Sequence, residues 1–131
     1  MLANSKTMAF VATANPSDAR HFYGQVLCLR ELDESPFAIV FEAGGVAIRV
    51  QKVEAVSPSS YTVLGWEVND MISTVRDLLS KGLAFEQFEN LPQDELGIWA
   101  TPDGSQVAWF KDPDGNVLSL TQIAPNRNPH G

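Results

Sequence analysis

The stretch KDPDGNVLSL, Lys111 to Leu120, decides how this chain is read. Pro113 and Gly115 punctuate a turn, and Val117, Leu118 and Leu120 supply the apolar residues of a following strand, so the stretch forms the corner of a β-hairpin. A loop over Asp112 to Asn116 sets Lys111 opposite Val117 and Trp109 opposite Ser119. Ser119 lies between two leucines and, by alternation, on the face opposite to theirs. A polar residue there needs a reason.

Working outward from the hairpin, the same order of elements appears twice. MAFVATANPSDARHFYGQVLC begins as a strand and reaches Asn15-Pro16, where Asn suits a helix N-cap, Pro the first turn, and Asp18 the positive end of the dipole. Ala19, Phe22, Tyr23, Val26 and Leu27 then recur at helical spacing. The second copy has a strand over about Tyr61 to Val68, Asp70 as N-cap, and Met71, Val75, Leu78 and Leu79 on one stripe. Lys81-Gly82 supplies its basic last turn and glycine stop. Each helix is followed by a short strand candidate, LRELDES or LAFEQFE, and then by a hairpin turning at Gly44-Gly45 or at Asp112 to Asn116. Both copies read βαβββ, over residues 7–53 and 61–123 of a single domain spanning 1–131. NLPQDELGIWATPDG is present only in the second copy and reads as a loop with a short strand around Ile98 to Ala100. The tail, 124–131, has two prolines and no pattern, and reads as frayed.

Composition fits one soluble α+β domain: 44% hydrophobic and 19% charged residues, without low-complexity tracts. A net charge of −7 with no cluster of Lys and Arg argues against nucleic acid as a partner. No apolar run approaches the roughly 20 residues that span a bilayer, and the N-terminus lacks a signal-like core, so a cytoplasmic location is expected. Cys28 is the only cysteine, which excludes an intrachain disulfide, and its apolar setting reads as core filler.

A four-stranded sheet with one helix covers only one of its faces. Two such modules with helices outside therefore leave two open faces, which placed side by side form a cup-shaped, partly open mixed sheet. Alternation puts Leu64, Trp66, Val68, Leu118 and Leu120 under the helices and Val63, Gly65, Glu67, Val117 and Ser119 on the open side. Asn15-Pro16 through HFYGQVL, Val63 to Asp70, and above all WFKDPDGNVLSL together resemble the vicinal oxygen chelate superfamily. That group includes glyoxalase I, bleomycin-resistance proteins, fosfomycin-resistance proteins and extradiol dioxygenases.

The resemblance implies a divalent metal held by His, Gln or Glu side chains at four positions. Counted from the helix caps and hairpin glycines, those positions here are Met8, Arg49, Val63 and Ser119. A thioether, a guanidinium, an isopropyl group and a neutral hydroxyl do not make a site for a hard cation, so no metal and no cofactor are expected. His21 falls on the solvent side of its helix and His130 in the tail.

What remains for the open faces is an apolar and aromatic lining of Met8, Phe10, Val63 and Trp109, with Arg49, Glu67 and Ser119 as polar groups. Trp99 either covers the mouth or anchors an interface. Three readings follow. One is a metal-free binder of a small organic ligand, aromatic ones included. Another is a metal-independent lyase or isomerase with Glu67 as general base and Arg49 as oxyanion stabiliser. The third is a dimerisation module without a ligand. The resemblance also implies a homodimer.

Overall fold

The computed structural model describes residues 1–125. In chain order it contains β1 (Met8–Thr13), α1 (Pro16–His21), β2 (Arg30–Glu34), β3 (Ala38–Ala43) and β4 (Val46–Lys52). Then follow β5 (Leu64–Glu67), α2 (Met71–Ser80), β6 (Trp99–Ala100), β7 (Gln106–Lys111) and β8 (Val117–Gln122). The strands form two four-stranded mixed sheets, ordered β1-β4-β3-β2 and β5-β8-β7-β6, with β1/β4 and β5/β8 parallel and the other pairs antiparallel. This is the expected α+β class, two modules in tandem. No helix of the described residues is long and apolar enough to cross a membrane.

The chain divides into two compact units. The first holds 1–59 together with 112–116, and the second holds 60–111 with the residues from Val117 onward. The loop joining β7 to β8 is thus structurally part of the first unit. In that unit, Val11 and Thr13 of β1, Ile39 and Phe41 of β3, and Ile48 and Val50 of β4 are buried on one face. Tyr23 packs against Phe41 with ring centroids 5.9 Å apart.

The helix carrying Tyr23 is not the uniform α-helix that its spacing predicts. After His21 the backbone widens to a π-helical turn over Phe22–Val26, closed by the Leu27 amide donating to the Phe22 carbonyl at 2.9 Å. The wider turn buries the adjacent Phe22 and Tyr23 together, edge to face at 5.1 Å, while Val26 and Leu27 are only half-buried. Asn15 occupies the N-cap position but makes no capping bond; its amide donates instead to Asp114 Oδ1 at 3.1 Å. Cys28 is exposed rather than buried, because the chain leaves the helix there with a left-handed φ of 59°.

The loop at 112–116 is built around buried polar groups. Asp112 accepts hydrogen bonds from the Tyr23 hydroxyl (2.6 Å) and from the Asn116 backbone amide (2.9 Å) and side chain (2.9 Å). Asp114 accepts from the Thr13 hydroxyl and from the Ala14 amide at 2.8 Å. Asn116 also donates to the Ala12 carbonyl at 2.8 Å, and Gly115 turns the chain at φ 86°.

In the second unit, Met71, Val75 and Leu78 of α2 are buried, and the helix packs on β7 and β8. Leu79 is 39% exposed and falls off the expected stripe. Asp70 caps the helix by accepting from the Ser73 amide at 3.1 Å, and Gly82 ends it with φ 90°. The larger departure is LAFEQFE, which forms no strand; only Phe85 bridges to Phe110. The reason is local. The Gln93 side chain donates to the Glu86 and Gly97 carbonyls (both 2.8 Å) and accepts from the Phe88 amide (2.7 Å), occupying groups that a neighbouring strand would use. The two-residue β6 takes the edge of the sheet instead. At the end of the described chain Ala124 is buried, and its amide donates to Ser105 Oγ at 2.9 Å. The rest of the tail, from 126 onward, lies outside the described residues.

Burial, with Asp112 and Asp114 close by, pushes the Tyr23 hydroxyl far above its ordinary pKa of 10.0. The folded state therefore keeps a proton that the unfolded chain loses above about pH 10. The tyrosine's contribution is fully present below that pH and declines as pH rises. Tyr23→Phe is expected to lose about 1–3 kcal/mol at pH 7, because it deprives buried Asp112 of a donor. It should also fall off less steeply above pH 10, by up to about 1.4 kcal/mol per pH unit; urea unfolding at pH 7, 9 and 10.5 measures both. Cys28→Gly, which removes the cost of a left-handed side-chain-bearing residue, is expected to gain roughly 1 kcal/mol in thermal unfolding.

Candidate functional site

In each unit one sheet face carries the helix and the other does not. On the helix-free face of the second sheet, one row runs Gly65, Ser119, Trp109 across β5, β8 and β7, and the next runs Glu67, Thr121, Val107, Trp99. Lys111 stands opposite Val117 and Trp109 opposite Ser119, as the loop length predicts. Phe110 and Ala108 are buried on the other face, where Phe110 stacks with Trp66 at 6.3 Å.

Trp109 is the centre of an aromatic cluster. Trp99 stacks on it at 6.2 Å with an interplanar angle of 28°, and Phe88 meets it edge-on at 5.4 Å and 85°. Both tryptophans are half-buried and Phe88 is 40% exposed, so the cluster presents ring surface rather than closing into a core. Trp99 is therefore a neighbour of Trp109 on one face. Nearby, Glu86 donates its amide to the Trp109 carbonyl at 2.8 Å and pairs its carboxylate with Lys111 at 3.6 Å.

Gly65 has a steric reason to lack a side chain. A Cβ placed on Gly65 would come within 2.9 Å of Ser119 Oγ and 3.3 Å of its carbonyl oxygen. The two residues share a close approach of β5 to β8 that leaves a low floor beside the Trp109 indole. Ser119 is buried, 8% exposed, and no hydrogen-bond partner of its hydroxyl is found among the described residues.

The remaining expected residues lie on the first sheet. Met8 and Phe10 of β1 are 46% and 52% exposed, and Arg49 of β4 sits in register with Phe10 and Val40. Ile48 and Val50 on either side of Arg49 are buried, so alternation turns the guanidinium to the helix-free face. The structure thus gathers Met8, Phe10 and Arg49 on one face of the first unit, and Glu67, Trp99, Trp109 and Ser119 on one face of the second. Val63 immediately precedes β5, is 40% exposed, and donates its amide to the Val117 carbonyl at 2.9 Å.

Phe88 escaped sequence reasoning because it lies in the irregular segment between α2 and β6, where no periodicity assigns a face. Gly65 carried a signal: a glycine inside a strand marks a close approach.

The four positions expected from the resemblance to hold metal ligands are Met8 and Arg49 in one unit and Val63 and Ser119 in the other. None supplies a carboxylate or imidazole. Among the described residues no three His, Cys, Asp or Glu side chains form a group that could hold a metal ion. The donors present do not fit a divalent cation.

Solved structures share the fold. A member of the glyoxalase/bleomycin resistance protein/dioxygenase superfamily from Sphaerobacter thermophilus superposes with a TM-score of 0.72 at 18% identity, covering 94% of this chain and 100% of that one. An antibiotic binding protein from Streptomyces gives 0.70 at 21% identity, with 95% and 99% covered. A lactoylglutathione lyase from Agrobacterium tumefaciens gives 0.70 at 13% identity, with 91% and 93% covered. No curated protein matches the chain. Residues 7–120 match the family described as Glyoxalase/Bleomycin resistance protein/Dioxygenase superfamily, and the chain belongs to that family.

Proposed function

We propose that this protein is a metal-free binder of a small organic ligand with a flat aromatic part, received on the helix-free face of the second sheet. The carrying observation is the cluster of Trp109, Trp99 and Phe88 beside the low Gly65–Ser119 floor. Half-buried indoles offer a rigid stacking surface, and the largely buried Ser119 hydroxyl next to them can offer one hydrogen bond that fixes orientation. Likeness in fold to an antibiotic binding protein supports binding as a use of this architecture. The donor chemistry at Met8, Arg49, Val63 and Ser119 supports a ligand recognised without a metal bridge.

Titration with flat aromatic compounds such as 2-naphthol, followed by tryptophan fluorescence, is expected to give a saturable change. Trp109→Ala should weaken it about tenfold or more, since ring stacking contributes on the order of 1–3 kcal/mol. Trp66→Phe, on the helix-covered face, should leave it unchanged. Absence of saturation, or an unaltered response in Trp109→Ala, would sink the reading. Elemental analysis of protein purified without chelator is expected to find no stoichiometric divalent ion, and finding one would overturn the metal-free assignment.

A further inference from the structure

Arg49 carries a second inference. Acidic residues outnumber Lys and Arg by 16 to 9 in this chain, so partners for a cation are plentiful. Arg20 pairs with Glu31 and Glu34, Lys52 with Glu34, Lys81 with Asp77 and Lys111 with Glu86. Arg49 has no ion-pair or hydrogen-bond partner among the described residues, although it is partly buried; Lys6, Arg30 and Arg76, also without one, are exposed. Partial burial without a partner costs solvation that an exposed lysine or arginine keeps.

Its immediate neighbours are mostly apolar, with Glu42 and Gln51 in the adjacent rows of the same face. Phe10 and Val40 flank Arg49 across the strands, and Ala47, two residues along β4, lies on the same face. Met8 stands opposite Ala47 and Phe10 opposite Arg49, and both raise exposed side chains at the sheet edge. The nearest carboxylate on that face is Glu42, opposite Ala47 on the adjacent strand, which accepts from the Gly45 amide at 3.3 Å rather than pairing with Arg49; in Arg49's own row the nearest is Asp33, two strands away. The face thus joins an unpaired planar fork of N–H donors to exposed hydrocarbon, a combination that suits a carboxylate borne on an apolar body.

We propose that the helix-free face of the first sheet is a subsite for small organic anions, with Arg49 holding a carboxylate and Met8 and Phe10 covering the attached hydrocarbon. The inference rests on the ligand-binding reading above only in taking the ligand as a small organic molecule; all its residues lie in the first unit. It gives the protein a charge preference that its acidic composition would not suggest.

The test compares 2-naphthoate with the isosteric but neutral 2-naphthamide by isothermal titration calorimetry on the full chain in low salt, with the Met8 methyl followed by NMR. Naphthoate is expected to bind at least tenfold tighter than the amide and to shift the Met8 methyl. Arg49→Met should abolish the preference with thermal unfolding unchanged, whereas Arg49→Lys should keep part of it. Equal affinity for the two compounds, a preference that survives in Arg49→Met, or no naphthoate binding at millimolar concentration would each overturn the subsite. The Met8 methyl reports on the first unit and the tryptophans on the second, so failure here and failure of the aromatic site are read separately.

Discussion

The buried carboxylate of Asp112 is the constraint on which the first unit depends. Removing a carboxylate from water costs several kcal/mol unless donors replace the lost hydration. Four do: the Tyr23 hydroxyl, the Asn116 amide and side chain, and the Asp114 amide at 3.0 Å. Tyr23 must then be buried with its hydroxyl aimed at the loop, which fixes the π-helical turn that carries it. Thr13 and Ala14 must meet Asp114, which fixes the exit from β1. A loop that joins β7 to β8 is in this way built into the first unit.

That arrangement changes what the most recognisable motif of the chain means. DPDGN has the look of a functional signature, with two carboxylates and an amide. Asp112 and Asp114 spend their oxygens on protein donors, Asn116 bridges to the Ala12 carbonyl, and Gly115 supplies the left-handed turn. The motif is a structural element of the first unit, and the candidate site residues lie on helix-free sheet faces.

On those faces, small residues matter as much as large ones. Gly65 and Ser119 keep the floor low beside Trp109, and Ala47 does the same beside Arg49. The serine between two leucines and its neighbour across the sheet are matched: the Ser119 hydroxyl lies 2.9 Å from where a Cβ on Gly65 would be.

The sequence by itself determined the tandem modules, the hairpin registers and the alternation of side chains between strand faces, although Val117 and Ser119, expected on the open side, are buried. These depend on short-range rules: alternation in strands, loop length, and capping residues such as Asp70. It also determined that Met8, Arg49, Val63 and Ser119 are poor donors for a hard cation, which is a matter of side-chain identity. Tertiary structure alone decided the rest. The π-helical turn follows from burying Phe22 and Tyr23 together, and LAFEQFE fails to form a strand because Gln93 takes its backbone groups. Phe88 joins Trp109 through a segment with no period, and that Arg49 has no partner among the described residues emerges only once their carboxylates are placed. Each depends on which distant groups meet, and local pattern carries no record of that.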